Sequence, residues 1–335
     1  MKIEKLKKKS YKSIINYLDK YYKKNHIFKK SKKLFDWQYL SKKNYNFYLL
    51  KKASKIKAIL GYIPTDLYDK ELRNDTSFLS LWSSSEIKSG SRLYFHFLNK
   101  EKYNLIAGLG SSDQSLKFQK MLKWNVGYLK HFFITSNKKK KLIYPEYFSN
   151  FKDFKNKNNF LKLNSAHKIL KLSKSLFNYQ VPKKSPKFLI NRYLNHPFYK
   201  YEIYAIKNKK VKGVFVIRKC YHKRNCAIRI VDYIGSNSNF SHGKYLFTYL
   251  LKKNSADFID IYCYGVPIKN LNLSGMENIN NYKNKIIIPN YFEPYLKKNI
   301  NLPYAFTTKG RLKKKIRFFK GDSDLDRPNI ITNKY

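Results

Sequence analysis

Short apolar runs, separated by Lys, Pro, Asp and Ser, dominate the chain between residues 47 and 82. Runs of about four to eight residues bounded by turn-forming residues are typical of consecutive β-strands, for which a meander is the simplest arrangement. The runs span residues 47–50, 58–63 and 78–82. Upstream of them, Ile14, Ile15 and Leu18 recur at helical spacing among Lys and Tyr, which predicts a basic helix over residues 1–30.

After residue 82 the pattern becomes an alternation of helices and strands. Residues 92–100 suit an amphipathic helix entered from a Ser- and Gly-containing loop, and residues 104–108 suit a strand. Ser111 or Ser112 can cap a second helix, over residues 116–124. The order strand, loop, helix, strand, helix indicates an α/β fold.

The same order returns in the second half of the chain. Strands are predicted at residues 201–206, 211–218, 226–233 and 258–264, a Ser- and Asn-containing loop at 235–243 and a helix at 245–251. A polar segment with Pro182 and Pro186 near its end separates the halves. We therefore predict an N-terminal domain over residues 1–140, a linker over 141–186 and a C-terminal domain over 187–335.

The net charge of +50 suggests an anionic partner. However, only nine of the 71 Lys and Arg residues are Arg, the residue that reads phosphates and guanine edges through paired hydrogen bonds. Lys, Asn, Ile, Tyr and Phe are abundant and Gly, Pro and Ala are few, as a strongly AT-rich coding sequence produces by drift. We therefore expect weak, nonspecific nucleic-acid binding that does not define the function.

Composition also bounds the class of protein. Hydrophobic residues make up 43% of the 335 residues, enough to build folded domains. Three cysteines, Cys220, Cys226 and Cys263, are too few and too irregularly spaced for a disulfide framework. The N-terminus lacks the apolar core of a signal peptide, and no stretch approaches the ~18 apolar residues of a membrane span. The sequence predicts a cytoplasmic protein without membrane insertion.

Four segments of the first half resemble, in order, segments of the GNAT acyltransferases. They are LGYIP at residues 60–64, FLSLW at 78–82, LIAGLG at 105–110 and MLKW at 121–124. In that family the corresponding segments form the central strands, the splayed strand and the helix that closes over coenzyme A. The resemblance covers residues 35–135, and it implies that the first half binds an acyl-CoA.

The second half is similar to the GNAT-like domain of large proteins from bacterial surface-polysaccharide gene clusters. The matching segments are NHPFYKY at residues 195–201, RIVDYIG at 229–235, IIPNYFEPY at 287–295 and FFKGDSDLDRPN at 318–329. Together the resemblances imply two tandem GNAT-like domains, each a mixed, mostly antiparallel twisted sheet flanked by helices. They also imply an N-acyltransferase that uses acetyl-CoA or another acyl-CoA and acts on an amino sugar or a nucleotide sugar.

The resemblance places the acyl-CoA pyrophosphate on the loop at residues 85–93, where backbone N–H groups at a helix N-terminus attract anions. The implied acyl-CoA-binding residues are Leu81, Trp82, Lys88, Ser89, Gly90, Ser91 and Arg92. The family spaces this loop as R-x-x-G-x-G or R-x-x-G-x-A, and Ile87 and Arg92 depart from that pattern.

Direct attack of an amine on the thioester needs a general base and a proton donor for the departing thiolate. Candidates are Glu86 beside the loop, Asp36 and Tyr128 for catalysis, and Trp37 for the acceptor pocket. Many GNAT members carry a donating Tyr in the helix after the splayed strand, and the nearest match here is Phe118, which has no proton to donate. Tyr94 or Tyr128 can take that role, although packing is the more frequent role of a Tyr in a chain with 30 of them.

The tail of the chain carries alternating carboxylates, Asp322, Asp324 and Asp326, followed by Arg327. In an extended segment the three carboxylates share one side. These four residues are candidates to bind substrate hydroxyls, while the alternatives are a divalent cation or ion pairs with Arg317 and Arg327. Ion pairs are the favoured interpretation in so basic a chain, and we predict no metal.

Two other functions fit the same sequence. One is a non-catalytic binding or scaffold protein that keeps the fold without the acyl-CoA, because a fold alone does not establish an activity. The other is a nonspecific nucleic-acid-binding protein, for which a continuous stripe of Lys on the surface is diagnostic.

Overall fold

The computed structural model describes residues 1–136, 142–144, 159–282 and 285–330. Contacts divide the chain into two compact units. Unit 1 comprises residues 1–126 and 304–312 together with the C-terminal residues from Arg327, and unit 2 comprises residues 127–303 and 313–326. The boundaries predicted from the sequence, at residues 140 and 186, stay a prediction.

The strands of the described residues are, in chain order, β1 (Lys2–Lys7), β2 (Leu40–Ser41), β3 (Asn44–Lys52), β4 (Lys55–Pro64), β5 (Thr76–Ser84), β6 (Leu105–Leu109), β7 (Asn125–Tyr128), β8 (Lys130–Thr135), β9 (Phe160–Lys162), β10 (Gln180–Val181), β11 (Tyr201–Asn208), β12 (Lys210–His222), β13 (Asn225–Gly235), β14 (Phe258–Tyr264), β15 (Glu277–Asn278), β16 (Tyr291–Phe292), β17 (Tyr295–Leu296), β18 (Pro303–Thr308), β19 (Lys315–Ile316) and β20 (Phe318–Phe319).

The α-helices of the same residues are α1 (Tyr11–Tyr21), α2 (Ile27–Lys30), α3 (Lys32–Tyr39), α4 (Ser89–Lys100), α5 (Asp113–Met121), α6 (Ala166–Leu170), α7 (Pro186–Leu189), α8 (Lys244–Lys253) and α9 (Ile268–Leu273). Residues Ile190–Leu194 form a π-helical turn, and short 3₁₀ turns lie at Lys8–Ser10, Thr65–Leu67, Lys70–Leu72, Lys174–Phe177, Asn237–Gly243, Ile279–Tyr282 and Lys320–Asp322.

The sheet of unit 1 follows the order β1-β3-β4-β5-β6-β18-β7, with β2 paired to β3. Strands β5 and β6 run parallel, whereas the pairs β1–β3, β3–β4, β4–β5 and β6–β18 are antiparallel. Aromatic side chains fill both faces. On one face Phe35 and Tyr39 of α3 pack on Phe47, and on the other Tyr94 and Phe97 of α4 belong to the core over β3 to β6.

The sheet of unit 2 follows the order β15-β8-β14-β13-β12-β11-β9, with β20 paired to β14. Strands β13 and β14 run parallel, and β12 and β8 flank them in antiparallel pairs. Helix α8 packs Leu246, Phe247 and Leu250 into the core of this unit. Both sheets are therefore mixed and mostly antiparallel with flanking helices, which confirms the predicted fold class.

Two local predictions have different outcomes. The helix expected over residues 1–30 is wrong at its start, because residues 2–7 form the edge strand β1 on β3 and the helix α1 begins only at Tyr11. Pairing with an existing sheet edge outweighs weak helical propensity in so short a segment. The N-cap is confirmed at Ser112, whose side chain accepts a hydrogen bond from the backbone N–H of Ser115.

Candidate functional site

Unit 1 contains a gap between two parallel strands. The pairing of β5 with β6 begins at Thr76 and Leu105 and ends at Leu79 and Gly108, although β5 continues to Ser84. Among the described strands, none pairs with β5 on this side beyond Leu79. The two strands thus separate and leave backbone groups of β5 outside the ladder; we refer to this place as the unit 1 opening.

A β-bulge marks the same point of β5. Gly61 is opposite Ser80 and Ile59 is opposite Ser83, so that β5 has one residue more than β4 over this stretch. Leu81 takes a positive φ of 40°, which non-glycine residues rarely adopt. A bulge re-aims side chains and releases backbone groups from pairing, and bulges are frequent beside functional sites.

The N-terminus of α4 follows β5 directly. Its N-cap, Lys88, is left-handed (φ 65°) and makes no capping side-chain hydrogen bond, and the first turn holds no acidic residue. Ser89 and Gly90 are buried, while Lys88 and Arg92 are exposed. The first N–H groups of a helix lack intrahelical acceptors, so this end attracts an anion.

The backbone of Gly90 is packed closely against β5. The Trp82 indole Nε1–H donates to the Gly90 carbonyl at 3.1 Å. An added Cβ on Gly90 would lie 3.2 Å from Ser84 Oγ and 3.3 Å from Trp82 Nε1. A side chain at this position would therefore push the helix end away from the strand.

Aromatic rings surround the unit 1 opening. Tyr94 packs with Trp82 of the bulge, with Phe118 of α5 and with Trp124, at ring centroid distances of 4.7, 5.4 and 5.8 Å. Phe118 also lies 5.4 Å from Trp82. These contacts place the nearest match to the family's proton donor, Phe118, in the packing of the site.

Gln119 of α5, which was not among the residues predicted from the sequence, is 1% exposed. Its Nε2 lies 3.5 Å from the Tyr94 hydroxyl and would lie 3.4 Å from a Cβ added to Gly108, the last β6 residue paired with β5. Its Oε1 has no hydrogen-bond partner among the described residues. A Gln at a helix position otherwise facing the core was the available sequence signal.

A second polar group that was missed lies on the other side of β5. The hydroxyls of Tyr39 and Ser80 are 2.8 Å apart, and Gln38 Nε2 donates to the Tyr39 hydroxyl at 2.7 Å. All three residues are buried, and Ser80 directly precedes the bulged Leu81. A hydrogen-bonded chain from α3 thus reaches the unit 1 opening.

Glu86 is close to the α4 N-terminus but forms an ion pair with Lys57. The Lys57 ammonium lies 2.5 Å from its carboxylate, and this hydrogen bond lowers the pKa of Glu86. A lowered pKa makes a carboxylate a weaker base at neutral pH.

Asp36 and Trp37 lie on α3. Asp36 accepts hydrogen bonds from Lys32 at 2.5 Å and from the Tyr45 hydroxyl at 2.6 Å, and Trp37 packs on Tyr68 with ring centroids 5.5 Å apart. Both residues are partly exposed and so accessible to a ligand.

The remaining predicted site residues are divided between the units. Tyr128 belongs to unit 2 and is 56% exposed, and Asp322, Asp324 and Asp326 also belong to unit 2. Arg327 belongs to unit 1, where its guanidinium lies 4.9 Å from the centre of the Phe28 ring. The structure therefore gathers Leu81, Trp82 and the loop residues in unit 1 and places the tail carboxylates in unit 2.

Unit 2 repeats the strand geometry of unit 1. Its parallel pairing ends at Ile230 and Ile261, and Val231 forms a bulge in β13, because Val216 is opposite Asp232 while Ile217 is opposite Ile230. The place beside β14 that β13 leaves is taken by β20, where Phe319 pairs with Cys263. We refer to this place as the unit 2 opening.

The chain's own tail fills the unit 2 opening. A Cβ added to Gly321 would lie 2.7 Å from the Val231 carbonyl oxygen and 2.5 Å from the Tyr193 hydroxyl. Arg192 donates to the carbonyls of Gly321 and Ser323, which fixes the tail backbone. Gly243, directly before α8, is also closely packed, since a Cβ added to it would lie 2.7 Å from the Phe247 ring.

The tail carboxylates hold this segment in place. Lys184 Nζ lies 2.8 Å from Asp322 and 2.5 Å from Asp232, and Arg218 donates to both oxygens of Asp326 at 2.8 and 3.0 Å. Asp324 is partly exposed. Asp322 and Asp326 thus pair with Lys184 and Arg218, and Arg317 donates hydrogen bonds to Asn237, Gln180 and Gly235. The described residues contain no group of His, Cys, Asp and Glu that could hold a metal ion.

Solved structures with the same architecture decide the fold. The chain is similar to a GCN5-related N-acetyltransferase from Anabaena variabilis (TM-score 0.51, 12% identity, 90% of this chain and 72% of that one). It is also similar to a conserved Enterococcus faecalis protein described as a probable N-acyltransferase (TM-score 0.56, 10% identity, 90% of this chain and 71% of that one). The chain has the GNAT fold. Its two openings repeat one arrangement of strands.

Comparisons by sequence identify no related protein. No protein-family model matches the chain, and no curated protein sequence matches it. Among the helices that the structure describes, none has the length and apolar character needed to cross a membrane.

Proposed function

We propose that the chain is an acyl-CoA-dependent N-acyltransferase in which unit 1 binds the acyl-CoA. The observation that carries this proposal is the unit 1 opening beside the uncapped N-terminus of α4. A strand opening of this kind offers unpaired backbone groups to an amide-containing arm, and the helix end offers N–H groups to a pyrophosphate.

The residues at the opening fit an acyl-CoA. The first turn of α4 with Lys88 and Arg92 would hold the pyrophosphate, and the close packing at Gly90 keeps the helix end near β5. Leu81 and Trp82 of the bulge would line the arm, with Ser89 and Ser91 beside it. Acetyl-CoA is the simplest donor with this chemistry.

The acceptor we propose is an amine, such as that of an amino sugar or nucleotide sugar used in surface-polysaccharide biosynthesis. The support is the similarity of the second half to GNAT-like domains from such gene clusters and the partly exposed pair Asp36 and Trp37 on α3. Asp36 would accept the amine proton during direct attack on the thioester, a role worth about 10²- to 10⁴-fold in rate. Trp37 would stack on the acceptor. Glu86 is the alternative base, and it is bound to Lys57 as Asp36 is to Lys32.

The tail residues fit a positioning role better than contact with a sugar. Asp322 and Asp326 form ion pairs with Lys184 and Arg218. Asp324 and Tyr128, also in unit 2, are at least partly exposed to solvent. We propose cytoplasmic localisation, and nucleic-acid binding only as a weak, salt-sensitive side effect of the charge.

Isothermal titration of acetyl-CoA into the protein at moderate salt tests the proposal. We expect binding in the micromolar range that is lost in Gly90→Trp, because the indole would displace α4 from β5. Asn99→Trp, at the exposed far end of the same helix, is the matched control and should bind normally. Titration of dephospho-CoA, which carries less negative charge than coenzyme A, shows how much of the affinity comes from charge alone. Absence of binding, or equal binding by Gly90→Trp, would contradict the proposal.

A non-catalytic binding or scaffold protein is the second candidate. The observation in its favour is the contact of Trp82 with Phe118, whose rings are 5.4 Å apart across the opening. If those rings do not separate, no arm can enter, and the titration shows no heat with any acyl-CoA.

A further inference from the structure

Arg317 is a buried arginine of unit 2 whose contacts differ from those of Arg218 and Arg229. Arg218 donates from Nε and Nη2 to both carboxylate oxygens of Asp326, at 3.0 and 2.8 Å. Arg229 donates from the same two nitrogens to both oxygens of Asp260, at 2.9 and 2.6 Å. Arg317 is 1% exposed, yet none of the ion pairs among the described residues includes it.

The acceptors around Arg317 are uncharged. Its Nη1 donates to Asn237 Oδ1 at 2.9 Å, and its Nη2 donates to the Gly235 carbonyl at 2.8 Å and to Gln180 Oε1. Its Nε has no acceptor among the described residues. The edge of the guanidinium that holds a carboxylate in Arg218 and Arg229 is therefore only partly used in Arg317.

A second donor without an acceptor lies beside the first. Gln180 is 1% exposed, and its Nε2 has no partner within the part of the chain that the structure describes. Because Gln180 Oε1 accepts from Arg317 Nη2, the two unused donors flank one hydrogen bond and are close neighbours. Buried polar atoms normally have partners, so both donors are explained if a ligand supplies an acceptor.

The charge of Arg317 also lacks a contacting anion. Burial lowers the pKa of Arg317 to about 10, against the opposing effects of Tyr233, Asp232 and Asp322. Those two carboxylates lie 2.5 and 2.8 Å from Lys184 Nζ and are paired with it. A buried guanidinium is costly without an anion in contact, which favours an anionic ligand.

The position of Arg317 suits a binding site. It donates to Gly235, the last residue of β13, and it holds Asn237, whose Nδ2 donates to the carbonyl of Gly265 directly after β14. Ligands of α/β sheets bind beyond the carboxyl ends of parallel strands, and β13 and β14 are parallel. Asn237 is partly exposed, so the guanidinium lies just beneath the surface.

We propose that Arg317 and Gln180 bind a small oxyanion, the phosphate or carboxylate group of a ligand. The oxyanion accepts hydrogen bonds from Arg317 Nε and Gln180 Nε2, while the contacts of Arg317 with Asn237 and Gly235 stay in place. Both binding residues belong to unit 2. The inference therefore goes beyond the proposed binding of acyl-CoA by unit 1 and does not depend on it.

The variant Gln180→Glu tests the site without any ligand. It places a carboxylate where an amide oxygen already accepts from Arg317, at nearly unchanged volume. The melting temperature should rise by about 2 °C or more above that of Gln114→Glu. Gln114→Glu is the matched control, because it makes the same change at an exposed position of α5.

Melting in sodium phosphate and in sodium acetate, each against sodium chloride of equal ionic strength at pH 7, tests the ligand. The wild-type protein should melt about 2 °C or more higher in at least one of the two salts than in chloride, and the active salt identifies the group that binds. Gln180→Glu should lose this increment, because its own carboxylate occupies the donors, whereas Gln114→Glu should keep it. Arg317→Met should lose it too, while Arg224→Met, which removes one positive charge from an exposed turn, should not.

Three results would overturn the inference. One is an equal increment in the wild type, Gln180→Glu and Arg317→Met, which would show an adventitious effect of anions on a basic chain. The others are no increment in either salt and a Gln180→Glu protein that melts no higher than Gln114→Glu. If Arg317→Met does not fold, the comparison of Gln180→Glu with its control still decides. Phosphate bound at the α4 N-terminus of unit 1 would survive the substitutions in unit 2, so the outcome for acyl-CoA is separate.

Discussion

The two openings share their strand geometry and differ in what occupies them. In each unit a parallel pair ends beside a bulge, at Leu81 in β5 and at Val231 in β13. The unit 2 opening holds the tail strand β20 and Gly321, while none of the described strands enters the unit 1 opening. Of the two openings, only that of unit 2 is thus closed by a strand of the described residues.

The energetics of the two openings should differ accordingly. The unit 2 opening is closed by buried ion pairs and a fixed backbone, so its residues should matter for stability. The unit 1 opening carries an unsatisfied carbonyl and a long hydrogen bond, so its residues should matter little for stability. The following substitutions test this difference, beginning with the largest effect.

Asp326→Asn should destabilise the protein by about 3–5 kcal/mol, because it removes the carboxylate that both bonds of the buried Arg218 reach and leaves only Glu293, 3.7 Å away. Burial alone would raise the pKa of Asp326, but Arg218 and Lys320 outweigh it and hold that pKa well below its ordinary value. The pair therefore stabilises above the unfolded pKa of about 4 and loses its effect as the pH falls below it. Urea unfolding at pH 7 measures the loss.

Asp324→Asn is the matched control, since Asp324 lies two residues away and is partly exposed. It should change the free energy of unfolding by less than about 0.5 kcal/mol. Equal effects of the two substitutions would show that the tail is not held by the Arg218 pair.

Lys320 should give the stability a pH dependence in the alkaline range. Burial lowers the pKa of Lys320 to about 7. The nearby charges of Arg229 and Arg218 lower that pKa further, whereas those of Asp326 and Asp260 raise it. The Lys320 ammonium donates a hydrogen bond to Asn290 Oδ1 at 2.7 Å. Between pH 7 and the unfolded pKa of about 10.4 the unfolded chain binds one proton more. The free energy of unfolding should therefore rise with pH by up to about 1.4 kcal/mol per unit.

The comparison of wild type with Lys320→Met isolates this contribution. In the variant the alkaline rise should flatten, because the buried titrating group is gone. Identical slopes in the two proteins would mean that Lys320 keeps its proton when buried.

Gln119→Leu should change the free energy of unfolding by less than about 1 kcal/mol. The substitution removes one hydrogen bond of 3.5 Å together with a carbonyl that has no described partner, and replacing an unsatisfied buried group by an apolar one is close to neutral. Urea unfolding of Gln119→Leu and Asp326→Asn under the same conditions compares the two losses of stability directly. A loss as large as that of Asp326→Asn would mean that the unit 1 opening is also built for stability.

Much of the architecture could be predicted from local patterns. The apolar runs at residues 58–63 and 78–82 lie within β4 and β5, and those at 226–233 and 258–264 lie within β13 and β14. Strand and helix periods depend on neighbouring residues in the chain, so the alternation and the duplicated order were visible without the structure. The edge strand β1 was not visible, because its pairing partner β3 is more than 30 residues away and half of its own residues are Lys.

The candidate site divides in the same way. The sequence by itself determined the loop before α4, the strand that carries Leu81 and Trp82, and the alternation of carboxylates in the tail, because each is a local pattern. Only the tertiary structure decided that the tail pairs with Lys184 and Arg218, that β20 fills the unit 2 opening, and that Gln119 meets Tyr94. Those contacts join residues 25 to more than 100 positions apart, and their energies come from burial, which no local pattern records.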